Sequence, residues 1–482
     1  MFTTRKDYIY ILNKLQKDIF SKLKKCWGFH PWPIIQIQVG YFLHLIFSEK
    51  HKEKDFVSHK RTYYCYKIKI LDIYRITKKW ISIQLFKKNW ISFLKNKVLI
   101  VTWKTHGIVN GENIYSAPFQ RLLNVVGREY EILFSDNCTV AECKLKILYE
   151  KLFAYNTLLF NIKNTFFKQN INQVQRISYL VEKYFEKNDM VFSKKVADIV
   201  YWNIIDNQIK YNTFLSFLKI TDPQLIWLYV YYNNDSLSWI RASKAKKIKV
   251  LEYQHSSFNN DHFAYTKWDN IDEYSEYFPT TFWVWNTNSE EIIRNNFQGK
   301  KYTPQCLIGG NLYVKEQKEK LKPQIVKRDE NKILVCLQGR WIPKFIEDFI
   351  IDNRDYFWYF RLHPRYPEDK NKLEILKKKI PEQIEIDIAN SMPLYDLFLM
   401  VKYNLTSFSG TAFEAFEFGV INIIFGEDGY AMYDQQIADG SYKYVSTAKE
   451  LKAILDSSLS PNYFSTMQAD DGELIDKLLM NK

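Results

Sequence analysis

Residues 404–429 read NLTSFSGTAFEAFEFGVINIIFGEDG, and this one stretch holds a strand end, a loop of small residues, an amphipathic run and a wholly apolar strand. A strand ending near Leu405 gives way to residues 406–411 and then to a helix reaching about Phe418. Residues 420–425, VINIIF, form the next strand. Short apolar runs separated by helix-length segments are the mark of parallel α/β units.

The same rhythm extends in both directions. Before the stretch lie KILVCLQ (332–338), YFWYFRL (356–362), IEI (384–386) and LFLMVKYNLT (397–406, partly helical); after it lies YKYV (442–445). An earlier series begins at KVLIVTW (97–103), with further strands expected near 225–231, 248–253 and 281–285, and helices between them that include a long one within 142–187. The charged, Gly- and Pro-containing segment 299–331 reads as the linker. The predicted fold class is therefore α/β: two Rossmann-like domains facing one another across a cleft, with an extra N-terminal region. The expected boundaries are 1–96 for a basic, aromatic extension, 97–300 for a first Rossmann-like domain and 301–482 for a second.

Bulk composition agrees with that division. A chain of 482 residues exceeds the size at which a single core keeps growing. The 68 Lys and Arg against 54 Asp and Glu give a net charge of +14, which favours an anionic partner: nucleic acid, an anionic membrane face or a phosphorylated substrate. The six cysteines (Cys26, Cys65, Cys138, Cys143, Cys306, Cys336) include no C-x-x-C pair, so neither a zinc site nor a disulfide framework is indicated. The first twenty residues are charged throughout and lack a secretory signal pattern, and a cytoplasmic protein is expected.

Two N-terminal stretches bear on membranes. Residues 26–48 carry no formally charged residue and are long enough to span a bilayer, but Pro31, Pro33, Gln36, Gln38 and Gly40 interrupt them and IIQIQV alternates; a buried strand and helix are expected. KKWIS (78–82) and KKNWIS (87–92) echo one another. A solvated basic face with Trp80 and Trp90 buried is expected there, the alternative being peripheral contact with an anionic inner membrane face.

In open α/β sheets ligands bind beyond the carboxyl ends of the strands, so the loops after the apolar runs are where chemistry is sought. In the 404–429 stretch, Ser407, Ser409 and Thr411 offer hydroxyl donors and Gly410 permits close backbone approach at a helix start, a set suited to phosphate. The plain alternative is a capping box from Thr411 to Glu414. The strand at 356–362 delivers Arg361, His363, Pro364 and Arg365 to the same edge. Gly339 and Arg340 follow the strand at 332–338, with an arginine fork available to phosphate. In the first domain, WKTHGIVNGEN (103–113) carries His106 and Glu112, and EYQHSSFNNDHFAY (252–265) carries His255, Ser256, His262 and Tyr265; either loop could supply a general base or acceptor contacts. No P-loop, dinucleotide fingerprint, H-E-x-x-H or D-x-D motif is present.

Taken in order, EYQHSSFNNDHFAY, FPTTFWVWNTNSEEII, IGGN, FRLHP and SFSGTAFEAFEFGVINIIF resemble the GT-B glycosyltransferases of bacterial capsule and surface-polysaccharide synthesis, including sialyltransferase-like groups. The likeness covers roughly residues 97–450 and implies a GT-B-like fold, with 97–300 on the acceptor side and 301–482 on the donor side. It implies transfer of a sugar from a nucleotide donor, a CMP-sugar preferred, to a glycan or lipid-linked acceptor, with no metal and no other cofactor. It further implies that His363 contacts the donor phosphate, that Ser407 to Thr411 hold it, and that Glu414 meets the ribose. Gln254-His255-Ser256 departs from the family's Q-H-G, and the family's acidic base has no clean match; Glu112 is nearest by position, with His106 and His255 behind it. The rival readings are a CDP-polyol phosphotransferase of the teichoic-acid type and a noncatalytic basic nucleic-acid-binding protein, although no nucleic-acid-binding signature is present.

Overall fold

The computed structural model describes residues 5–47, 70–88, 98–102, 107–110, 113–116, 130–134, 144–166, 168, 169–188, 190, 192–256, 258–260, 262–266, 268–322, 327–339, 341–363, 366–457, 459 and 474. They form two compact units that divide between Gly309 and Gly310.

The first unit is built on a six-stranded parallel sheet. Its strands are β1 (Val98–Thr102), β4 (Tyr130–Phe134), β5 (Leu225–Leu228), β6 (Lys249–Tyr253), β7 (Thr281–Val284) and β8 (Gln305–Ile308), ordered β4-β1-β5-β6-β7-β8. A separate antiparallel pair, β2 (Gly107–Asn110) and β3 (Asn113–Ser116), lies between β1 and β4 in sequence. Strands such as VLIVT and LIWL are buried at every position, as expected where helices cover both faces of a parallel sheet. The Ser193–Thr221 helix stops where Asp222 turns into the left-handed region, its N–H bonding back to Leu218 and Pro223 following, so the chain enters β5 sharply.

The expected single long helix within 142–187 is two, Lys144–Phe166 and Gln169–Lys187. Residues 26–48 also differ from expectation: they form one helix, Trp32–Phe47, after a short Cys26–Phe29 bridge. The alternation of IIQIQV misled because residues 32–37 of this helix are buried on every side, and periodicity is silent for such a segment. Its polar Gln36 is satisfied inside the core, donating to Phe263 O at 2.8 Å and accepting from Trp32 Nε1 at 2.8 Å. With the Arg5–Ile19 helix it forms an extra N-terminal helical region that packs into the first unit's core. Among the described residues no helix is long and apolar enough to cross a membrane.

The second unit repeats the plan with β9 (Asp329–Cys336), β10 (Phe357–Arg361), β11 (Ile384–Glu385), β12 (Val401–Thr406), β13 (Ile421–Phe425) and β14 (Lys443–Val445), ordered β11-β10-β9-β12-β13-β14 and parallel throughout. Two Rossmann-like α/β units were predicted and are found. The segment read as a linker, 299–331, carries β8 and the Leu312–Leu321 helix instead; β8 is a four-residue edge strand, exposed at Gln305, and its pattern is too short to announce itself.

In each sheet the chain first builds outward on one side of its first strand and then crosses to the other. The seams fall between β1 and β5 and between β9 and β12, and at such seams the strand-end loops part and leave a crevice.

Candidate functional site

The seam of the second unit gathers most of the described residues singled out above. Arg361 and Thr406 both pair in register with Cys336, one from each side, so β10, β9 and β12 end level. Thr406 Oγ1 donates to Cys336 O at 2.8 Å, and Leu337 N donates to Arg361 O at 3.0 Å, which fixes where the three following loops leave the sheet. His363 emerges from β10 and Ser407 from β12, two strand spacings or about 10 Å apart. The loop after β9 lies between them and turns at Gly339, whose φ of +72° suits glycine. Arg340 and Pro364 lie outside the described residues.

Within the 407–411 loop the bonding is specific. Ser409 Oγ accepts from the Thr411 hydroxyl at 2.8 Å and from Thr411 N at 3.3 Å, while the buried Tyr433 hydroxyl donates to Ser409 O. The capping box does not form: Gly410 is the residue before the Thr411–Glu417 helix and carries no side chain, and Glu414 faces elsewhere. Among the described residues the Ser407 hydroxyl and the N–H groups of Ser409 and Gly410 have no internal partner. A side chain added at Gly410 would meet open space. These three donors on one short loop match the needs of an anion.

Below the loop, asparagines in otherwise apolar strands hold its position. Asn404 donates to Asn422 Oδ1 at 2.8 Å, and Asn422 donates to Ala412 O at 2.7 Å, all buried. Sequence reasoning missed this pair, although an asparagine inside VINIIF was a visible signal, since a buried amide must find a partner.

Glu414 is half-buried and takes a hydrogen bond from Tyr395; desolvation pushes its carboxyl up to about 7, against the pull of Tyr395 and the Arg361 charge. Burial likewise pushes the Cys336 thiol up to about 11, with a Thr411 hydrogen bond and the Arg361 charge acting the other way. Arg361 is anchored: its Nη1 donates to Ala389 O and Met392 O, both at 2.8 Å. It therefore lends charge to the site from a fixed position. His363 is half-buried, its ring centroid 5.2 Å from that of Tyr366, whose N–H donates to His363 O at 2.9 Å.

In the first unit His106 and Glu112 lie outside the described residues. His255 follows β6, with Nε2 3.0 Å from the Tyr232 hydroxyl and 3.3 Å from Ser256 Oγ. His262 Nδ1 accepts from Ala264 N at 3.3 Å, and its ring lies 4.8 Å from that of Tyr265. Tyr265 was expected on the acceptor side; it is buried, and its hydroxyl donates to Glu252 Oε1 at 2.5 Å, so its role is to hold the loop from beneath. Glu252 is fully buried within β6 and its carboxyl is pushed well above the usual range by desolvation. A lone acid in the run KVLEY was the signal for it. Among the described residues no three His, Cys, Asp or Glu side chains group so as to hold a metal ion.

No known family model matches the chain, and no curated protein does. Among solved structures it is similar to the UDP-GlcNAc 2-epimerase of Methanocaldococcus jannaschii in complex with UDP-GlcNAc and UDP, at 13% identity over 80% of this chain and 100% of that one, with a TM-score of 0.48. It is similar also to the UDP-GlcNAc 2-epimerase of Neisseria meningitidis bound to UDP-GlcNAc, at 11% identity over 80% of this chain and 100% of that one, TM-score 0.47. Likeness at this level does not carry an activity across.

Proposed function

We propose that the chain is a glycosyltransferase that moves a sugar from a nucleotide-activated donor, a CMP-sugar by preference, to a surface-glycan or lipid-linked acceptor. The observation that supports it best is the set of unpartnered donors at Ser407, Ser409 and Gly410, standing at the seam between β9 and β12. Breaking a sugar–phosphate bond leaves negative charge on the departing nucleotide. Donors already fixed in place by Tyr433 and Thr411 stabilise that charge without reorganising, which is how a preoriented site lowers a barrier.

His363, from the same sheet edge, adds a hydrogen-bonding group to the departing phosphate, and Glu414 meets the ribose. The acceptor hydroxyl must lose its proton to a general base, for which His255, His106 and Glu112 are the candidates. Phosphate neutralisation here uses side chains and backbone N–H groups, so no metal is required.

The test is turnover of labelled CMP-, UDP- and GDP-sugars in EDTA, with a lipid-linked glycan as acceptor. Nucleotide release that depends on the acceptor, with the label in the glycan, is the expected result. Conversion of the donor to an isomeric sugar nucleotide without transfer overturns the transferase reading while keeping the nucleotide site. Activity lost in EDTA and restored by magnesium overturns the metal-free mechanism.

A further inference from the structure

The Ile70–Lys88 helix, ILDIYRITKKWISIQLFKK, faces two ways. One side packs on the Lys144–Phe166 helix: Ile83 is buried, and Lys151 Nζ donates to Ser82 Oγ at 2.8 Å. Successive residues of an α-helix turn by about 100°, so Tyr74, Ile81 and Leu85, spaced seven and four apart, fall within about 40° of one another on the side opposite Ile83. All three point to solvent, Tyr74 at 64% exposure, Ile81 at 47% and Leu85 at 66%. Trp80, expected to be buried, is 50% exposed, about 100° around the helix from Ile81.

Water disfavours an aligned apolar stripe, and scattered surface apolar residues do not explain three in register. The charge around it names the occupant. Arg75 and Lys78 are exposed, with Lys78 about 20° beyond the edge of that arc, and Lys79 is half-buried. Asp72 is the one acid in the helix, whereas Lys87, Lys88, Lys95 and Lys97 follow in sequence. A protein partner would be met by an apolar patch with a mixed polar rim. A narrow stripe of aliphatic and aromatic side chains set among Lys and Arg is the composition of a helix that lies in the headgroup layer of an anionic bilayer. We infer that the outward face of the Ile70–Lys88 helix is a docking surface for an anionic lipid membrane, with Tyr74, Ile81 and Leu85 entering the interface and Arg75 and Lys78 held at the headgroups.

The helix shares no residue with the 407–411 loop, so vesicle binding and nucleotide binding fail separately. The test is co-sedimentation of the full chain with vesicles of phosphatidylglycerol and phosphatidylcholine, beside vesicles of phosphatidylcholine alone. The chain is expected to pellet with the anionic vesicles, less as salt rises, and weakly with the neutral ones. Ile81→Glu with Leu85→Glu is expected to reduce anionic-vesicle binding by at least about fivefold, with unchanged melting and unchanged nucleotide-induced thermal shift. Should the glutamates lower the melting temperature, Ile81→Ser with Leu85→Ser reads the same effect. Binding by either variant equal to wild type overturns the assignment, and so does a lipid-free dimer in sedimentation velocity that these substitutions dissolve while vesicle binding persists.

Discussion

Arg361 and Thr406 stand level on opposite sides of Cys336, so the strands carrying His363 and the 407–411 loop end together at one edge of one sheet. The loop between them turns at Gly339, and the donors of Ser407, Ser409 and Gly410, unpartnered among the described residues, stand on the neighbouring strand's end.

Gly410 separates binding from stability. Its φ of −54° is open to any residue and a methyl group there meets nothing within 4 Å, so Gly410→Ala should fold normally or gain about 0.4–1 kcal/mol. A phosphate brought against the adjacent N–H groups would collide with that methyl. Nucleotide affinity, measured by calorimetric titration, is expected to fall by at least about fivefold, or about 1 kcal/mol. Unchanged affinity would remove this loop from the site.

Gly429 makes the opposite case. A Cβ there would lie 2.7 Å from Ser407 O and 2.8 Å from Ile424 Cγ2, against backbone and core that do not yield. Gly429→Ala is expected to cost roughly 1–3 kcal/mol in chemical unfolding and to weaken nucleotide binding by shifting Ser407. A variant as stable as wild type would mean the Ser407 turn is softer than its packing implies.

His363→Ala is expected to lower turnover by more than about tenfold while the melting temperature stays put, because a group interacting with developing charge is removed from a half-buried loop. The diagnostic pattern is a fall in kcat and kcat/KM together. A change confined to KM would make His363 a ground-state contact only, and near-normal kinetics would take it out of the mechanism.

Glu414 sets a pH dependence. Its folded carboxyl, pushed up to about 7, holds a proton that the unfolded chain has already lost, so its contribution is full at acidic pH and drains away as pH rises from the ordinary glutamate range through about 7. Glu414→Gln should therefore flatten the decline of melting temperature over that window and stabilise the protein more at pH 8 than at pH 5. Parallel melting curves for the two proteins across pH would show that the carboxyl is not desolvated in solution.

The sequence alone determined the class of fold. Apolar runs such as VINIIF and YFWYF are strands because a parallel sheet buried on both faces tolerates little else, and a loop such as SFSGT declares itself by composition. It also placed His363 and Ser409 after strands of one series. Three-dimensional packing decided the rest. Strand order, which no local pattern encodes, put β9 between β10 and β12 and thereby made one seam of two distant loops. Burial put Tyr265, expected on the acceptor side, beneath its loop against Glu252, and it made residues 32–37 part of the core, because a segment buried on every side has no period to read. The outward stripe of Tyr74, Ile81 and Leu85 likewise appeared only when Ile83 chose which side of its helix to bury, since the sequence gives both sides apolar residues and only the neighbouring helix breaks the tie.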